Sequence, residues 1–479
     1  MRNYILLFLG CLLFHVAGTW SLPLIDRDEP RFAEAAREMR ERGDYIVPYF
    51  NDQFRFDKPP LTYWFQVASY RIFGENDFAA RFPTAIAGAL VAMVLFAWGK
   101  RIRDERVGWW AAIIFTLSLQ TFIHGKAAVA DMWLVLFVTV AHGAGWELLQ
   151  KEITEGRTSN AGHRTTLWWT LFYLSLALAF LAKGPIGWTP LLTVAIAQRF
   201  IRQRDFAARF KFVRGSLLML ALVCLWGIPA LVKTHGEFFR VGIGKHVVER
   251  SIATMEGHGA SSIGIYLALL PFYFVTVFVS FFPWSIKLPA LWKNLRRNRD
   301  GTDQFLLAGA AIVFGIFTLV QTKLPHYTLP AFPLLALLVA RRCDSLRLGK
   351  ALPITMSAIY VAVALFVTPS LARLFPSYNL ARDSQPNQKP EMEFGAVDFT
   401  EPSLVWYFRS RVHGFLTPLK RKEAAEFMGR SGARFVVLPT KFVSEIFPNV
   451  DVSWCSYRES GFNVAKGQRV DLTMLLKPE

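Results

Sequence analysis

Apolar residues arrive in blocks of about 20, the length an α-helix needs to cross a hydrocarbon core of about 30 Å. Eleven such blocks lie along the 479 residues, at approximately 4–22, 80–99, 107–123, 128–148, 166–182, 184–200, 214–233, 263–284, 304–322, 327–341 and 351–372. Lipid offers backbone N–H and C=O groups no partners, so only a helix or a closed barrel can cross it. The spacing therefore predicts a polytopic α-helical membrane protein with about eleven transmembrane helices. Charged residues make up 19% of the chain, below the roughly 25% of soluble domains. The first block lacks a small-residue cleavage site before Pro23 and reads as an anchor. The fifth and sixth blocks are split only by Lys183-Gly184-Pro185, which predicts a tight helical hairpin. Four scattered cysteines exclude a disulfide framework.

The net charge of +18 would point to nucleic acid in a soluble protein. Here the basic residues cluster in short loops: Lys100 to Arg103, Arg199 to Arg214, Lys287 to Arg299, and Arg341-Arg342. Basic loops face the cytoplasm. That assignment leaves 23–79, 234–262 and 373–479 outside, which in a bacterium is the periplasm, and it predicts no nucleic-acid partner.

The tail changes character after Phe375. It reads strand (394–399), helix (401–411), strand (414–417), helix (421–431) and strand (433–438), then a short helix and a final hairpin (452–457 and 470–476). That alternation predicts a small α/β domain. The division is 1–373 for the membrane domain and 374–479 for an extracytoplasmic domain, with the polar, Pro-bearing stretch 383–390 as linker.

More than 50 residues between the first two spans is too long for a plain connector. Two short helices are predicted there. One opens at Asp28-Glu29-Pro30-Arg31-Phe32 and stops at Gly43; the other opens at Asp57-Lys58-Pro59-Pro60 and stops at Gly74. Asp28 and Asp57 stand where N-caps belong, and an acid there is more often a cap than a catalyst. Phe32, Ala36 and Met39 recur at helical spacing, a stripe that suits a membrane surface.

Topology gives these polar residues a second reading. Asp28, Lys58, Asp131, Lys183, His246, Lys323, His326 and Tyr327 all fall at the predicted outer face. Ionisable groups at a membrane boundary are costly and default to functional candidates. Lysines converging with two acids describe a pocket for a phosphorylated ligand beside a base. The plain alternative is that each lines a helix end and meets its own headgroup.

The series Asp28-Glu29-Pro30-Arg31-Phe32-Ala33-Glu34, Gly43-Asp44-Tyr45-Ile46-Val47-Pro48, Phe56-Asp57-Lys58-Pro59-Pro60-Leu61-Thr62-Tyr63-Trp64 and Phe78-Ala79-Ala80-Arg81-Phe82-Pro83 resembles the aminoarabinose lipid A transferases. These are relatives of the protein O-mannosyltransferases, with the GT-C fold. Ala182-Lys183-Gly184-Pro185-Ile186-Gly187 and Lys323-Leu324-Pro325-His326-Tyr327 extend the likeness, which is dense over 20–100, patchy to about 340 and weak in the tail.

The resemblance implies an inverting membrane glycosyltransferase. Its donor would be a sugar on a polyprenyl phosphate, undecaprenyl phosphate in a bacterium. Its acceptor would be lipid A or another envelope lipid, glycan or protein on the outer face of the inner membrane. By motif position Asp28 matches the catalytic aspartate and Asp131 the second acid. Lys58 matches the lysine that meets the lipid phosphate, and Tyr327 a tyrosine near it; Arg31 and Lys183 complete the phosphate side. Asp57 replaces a more usual glutamate. With His246 it would hold a divalent metal, the one cofactor the resemblance suggests. A departing phosphate is a weak base, so charge stabilisation would dominate and no general acid is required. Two other readings predict different behaviour. A lipid or glycolipid transporter or flippase would place its charges at the membrane midplane. A sensor or scaffold would tolerate loss of the outer acids and lysines.

Overall fold

The computed structural model describes residues 1–150, 160–249, 263–342, 344, 346 and 348–479, the side chains at 160–163, 243, 245–249 and 263 apart. Among the described residues six helices are long and apolar enough to cross a membrane: Asp77–Ile102, Asp131–Leu149, Arg164–Lys183, Phe206–Lys233, Gly301–Leu319 and Ala351–Leu374. The pair Gly264–Ser280 and Trp284–Arg297 would add a seventh, bent by 112°.

The other predicted blocks are helical but short or broken, and proline explains several breaks. Pro185 opens the short turn Pro185–Trp188 before helix Thr189–Ile201. Pro325 and Pro330 hold Pro325–Ala331 in 3-10 form before helix Phe332–Arg341. Proline removes a donor and sterically opposes the preceding turn. The block at 107–123 divides into Glu105–Thr116 and Leu119–His124, and the first block is helix Arg2–Val16.

Both predicted loop helices form, as Asp28–Arg42 and Leu61–Phe73. Gly43 closes the first in the left-handed region at φ 64°, which costs glycine little. Between them lies a two-residue hairpin, β1 (Tyr49–Phe50) and β2 (Gln53–Phe54). Two expectations are corrected here. Neither aspartate is an N-cap: Arg27 and Pro60 hold those positions, and Asp28 is already helical. The stripe of Phe32, Ala36 and Met39 does not lie on a membrane surface. It is buried with Tyr63, Tyr70 and Trp406, because the second loop helix and the tail cover it.

The tail forms a five-stranded sheet of β3 (Glu393–Val397), β4 (Leu416–Leu419), β5 (Arg434–Pro439), β6 (Cys455–Asn463) and β7 (Gln468–Lys477), in the order β4-β3-β5-β7-β6. β3 pairs parallel with β4 and β5; the β6–β7 hairpin joins antiparallel through β7. Successive residues of β5 face opposite ways, as the two-residue period of a strand requires. Phe435 and Val437 pack with helix Pro402–Phe408, and Val436 and Leu438 with helix Arg421–Gly429.

This domain sits on the first loop. Arg37 lies 3.9 Å above the Trp406 ring, Tyr407 donates to Asp77 at 3.0 Å, and Arg409 pairs with Glu34 and, at 2.8 Å, with Glu41. The basic loops lie at the other end of the helices, where Arg341 pairs with Asp300 at 2.5 Å and Arg103 donates to the Arg341 carbonyl at 2.9 Å.

Candidate active site

Glu29 organises the first loop. Its carboxylate receives the Ile25 N–H at 2.8 Å, the Ala128 N–H at 2.7 Å, and Arg81 through Nε at 2.8 Å and Nη2 at 2.7 Å. Arg81 is buried and also donates to the carbonyls of Thr19, Leu22 and Pro23, which occupies all five of its N–H groups. A buried charge must be paired and hydrogen-bonded, and this one is. The start of the Asp28–Arg42 helix is thereby fixed against two spanning segments. Asp28 is left exposed in the first turn, with no ion pair or hydrogen bond among the described residues. It lies within electrostatic range of His124 and of buried Arg55. Arg31, one turn on, carries its charge toward Asp26.

A cavity of about 540 Å³ takes in Lys58 of the first loop, while Asp28 and Arg31 do not line it. Its polar end is made by Lys58, Asp131, Lys183 and Tyr327; Leu191, Leu192, Ile316 and Phe317 are among its apolar walls. Lys183 reaches Asp131 with Nζ 2.5 Å from Oδ1, and stands 5.5 Å from the Tyr327 ring centre. His124 and His326 stand by Asp131, their rings tilted and 4.8 Å apart. Ligand atoms of His124, Asp131 and His326 lie within 4.8 Å of one another. The arrangement can hold a molecule with an anionic head and a long apolar tail.

Four of the predicted residues, Lys58, Asp131, Lys183 and Tyr327, are therefore brought into one cavity. Lys323 has another task. It donates to the carbonyls of Phe317 at 3.0 Å, Thr318 at 2.6 Å and Val320 at 2.5 Å, capping the end of helix Gly301–Leu319. Asp57 pairs with Arg55 at 3.2 Å. Its suggested metal partner His246 lies outside the residues with described side chains. One described carboxylate that already carries a guanidinium does not make a metal site, so no chemistry is routed through a metal there. Glu29, Arg55, Arg81 and His124 were not singled out from the sequence. Glu29 and Arg81 stood inside the first and fourth motifs of the series quoted above, and that glutamate and arginine were the available signal.

The family described as dolichyl-phosphate-mannose-protein mannosyltransferase matches residues 6–241. An uncharacterized protein of Aquifex aeolicus (strain VF5) is 30% identical over 342 residues, covering 71% of this chain and 72% of the relative. An undecaprenyl phosphate-alpha-4-amino-4-deoxy-L-arabinose arabinosyl transferase of Edwardsiella ictaluri (strain 93-146) is 29% identical over 318 residues, 65% of this chain. The match spans only 54% of that relative's length. The crystal structure of ArnT from Cupriavidus metallidurans bound to undecaprenyl phosphate superposes with a TM-score of 0.79 at 18% identity, covering 99% of this chain and 98% of that one.

Proposed function

The chain belongs to the GT-C family of the protein O-mannosyltransferases and aminoarabinose transferases, multi-pass membrane proteins, and on that premise we propose that it is an inverting glycosyltransferase. Its donor is a sugar on a polyprenyl phosphate, specifically undecaprenyl phosphate. Its acceptor is lipid A or another envelope lipid, glycan or protein, met on the periplasmic face of the inner membrane.

The observation that carries this reading is the cavity. Lys58 supplies a point charge for a phosphate, and the walls formed by Leu191, Leu192, Ile316 and Phe317 accept isoprenoid. Lys58 and Lys183 both reach this end of the cavity, Lys183 also paired with Asp131, and Tyr327 lines it with them; Arg31 is assigned to the phosphate by its motif position. Asp28, exposed and free to meet an incoming group, takes the proton. The acceptor oxygen bonds to the anomeric carbon, the bond from that carbon to the phosphate oxygen breaks, and the proton of the acceptor hydroxyl passes to the Asp28 carboxylate. Polyprenyl phosphate leaves with the electron pair, stabilised by Lys58. Attack from the face opposite the phosphate inverts the centre. A lipid carrier also explains the placement, since sugar nucleotides are not supplied outside the cytoplasm.

The charged groups gather at one end of the helices, not midway, which does not favour a flippase. Purified protein in detergent, where no gradient exists, given an undecaprenyl-phosphate sugar and envelope lipids, tests the reading. Product with inverted anomeric configuration supports it. Retained configuration, or full transfer by a folded Asp28→Asn variant, rejects the mechanism.

A further inference from the structure

The α/β domain has a binding site of its own. β3 lies between β4 and β5, and all three run parallel. The connection β3 to β4 runs through helix Pro402–Phe408 on one face of the sheet. The connection β4 to β5 returns through helix Arg421–Gly429 on the other. The chain leaving β5, through Thr440–Phe442 and Val443–Ile446, packs on that second face as well, so the connections leaving β3 and β5 part at the carboxyl ends of these strands. In open α/β sheets this is where the backbone leaves a crevice and where ligands are taken.

The crevice is present, with a volume of about 500 Å³. Arg421, Lys441, Arg458, Lys466 and Arg469 line it, with Phe442 on one side. Among the described residues Lys441, Arg458 and Arg469 form no ion pair. Arg421 is held against the Phe442 ring at 3.5 Å by Asp398, which receives its Nη2 at 2.7 Å and its Nε at 2.9 Å. Asp398, the first residue after β3, adopts φ 55°, a conformation with a cost for a non-glycine residue. Fixed guanidinium groups match phosphate and carboxylate oxygens.

The crevice is wired to the candidate active site. Lys466 approaches Glu401 at 3.7 Å, and Glu401 approaches Arg27 at 3.6 Å. Arg27 is the neighbour of Asp28. Two residues on from Glu401, Ser403 donates to Asp26 on the other side of Arg27.

We propose that this crevice binds an anionic sugar, one bearing a phosphate or carboxylate, as the outer anchor of the acceptor. The assignment to the acceptor rests on the transferase reading; the binding does not. An anchor here holds one end of a glycan while its hydroxyl meets Asp28.

Saturation-transfer NMR on the purified full chain reads the crevice without turnover, using D-glucose 6-phosphate, D-glucuronate, inorganic phosphate and D-glucose as probes. The anionic sugars bind, and Arg458→Gln with Arg469→Gln weakens them about tenfold or more. Both arginines are exposed, so the variant keeps its fold, which thermal unfolding checks. Equal binding by the wild-type chain and the variant overturns the proposal, as does binding of neither anionic sugar. Inorganic phosphate as tight as the phosphosugar, or capture of phosphatidylglycerol nanodiscs in preference to both sugars, also overturns it. With phosphorylated lipid A as acceptor, the variant raises KM and spares kcat; an unchanged KM overturns the acceptor half alone. A chain that binds the sugars but transfers nothing would sink the transferase reading and leave the crevice standing.

Discussion

Lys183 Nζ stands 2.5 Å from Asp131 Oδ1 at the polar end of the cavity, joining two residues 52 positions apart. Asp131 is buried and Lys183 nearly so. A buried ion pair adds little net stability, but removing one partner strands the other. Lys183→Met and Asp131→Asn each lower stability by about 3 kcal/mol or more. The double variant recovers most of that loss. Thermal unfolding of the four proteins in one detergent completes the cycle, and strictly additive losses would show that the pair does not couple.

Asp28→Asn lowers transfer by about 100- to 10,000-fold, the usual worth of a positioned base. Its exposure predicts an unchanged melting temperature. Donor binding, followed with an undecaprenyl-phosphate analogue, stays within a factor of about two.

Lys58→Ala weakens donor binding by about 10- to 100-fold, the loss of one charge-assisted contact to phosphate. Lys58→Arg restores part of it. A kinetic comparison at saturating acceptor separates this from an acceptor effect: a lesion confined to acceptor KM would remove Lys58 from the donor site.

Arg81→Leu leaves Glu29 buried beside carbonyls that have lost their donor, costing about 3–5 kcal/mol. The start of the Asp28–Arg42 helix loosens first. Hydrogen exchange at the amides of Ile25 and Ala128, both bonded to Glu29, reports it.

Asp26 responds to pH. Burial pushes its carboxyl up to about 7, against the hydrogen bonds from Ser403; the Glu401 charge adds to the rise and Arg31 opposes it. A carboxyl with a raised folded pKa contributes stability that is full below its unfolded value, near 3.8, and is lost as pH rises through about 7. The seat of the α/β domain on the first loop is therefore tightest in mild acid, and weakens by on the order of 2 kcal/mol toward pH 8. Asp26→Asn flattens the profile. Exchange at the Ser403 amide between pH 5 and pH 8 measures it, and a wild-type profile as flat as the variant's would contradict the assignment.

The local parts of this structure were legible because they follow from periodicity and punctuation. The two loop helices end at Gly43 and Gly74 as read, and the strand-helix order of the tail agrees from Glu393 to Lys477. Pro185 and Pro325 fall at the breaks between blocks as read; the first turns of the blocks that follow are 3-10, at Pro185–Trp188 and Pro325–Ala331, which hydropathy alone does not show. Lys323 read like a phosphate ligand, because a helix cap and a phosphate contact call for the same amine. What separated the two roles was the direction the group takes in three dimensions.

By itself the sequence determined the membrane class, the end at which the acids and amines collect, and the α/β character of the tail. Each depends on composition and spacing within some 20 residues. Tertiary structure alone decided that Lys183 belongs to Asp131, that Glu29 and Arg81 lock the loop, and that the tail closes over Phe32 and Met39. Arg409 and Glu34 meet across 375 residues. Contacts of that range arise from the packing of whole elements, and no local pattern encodes which partner a buried charge will find.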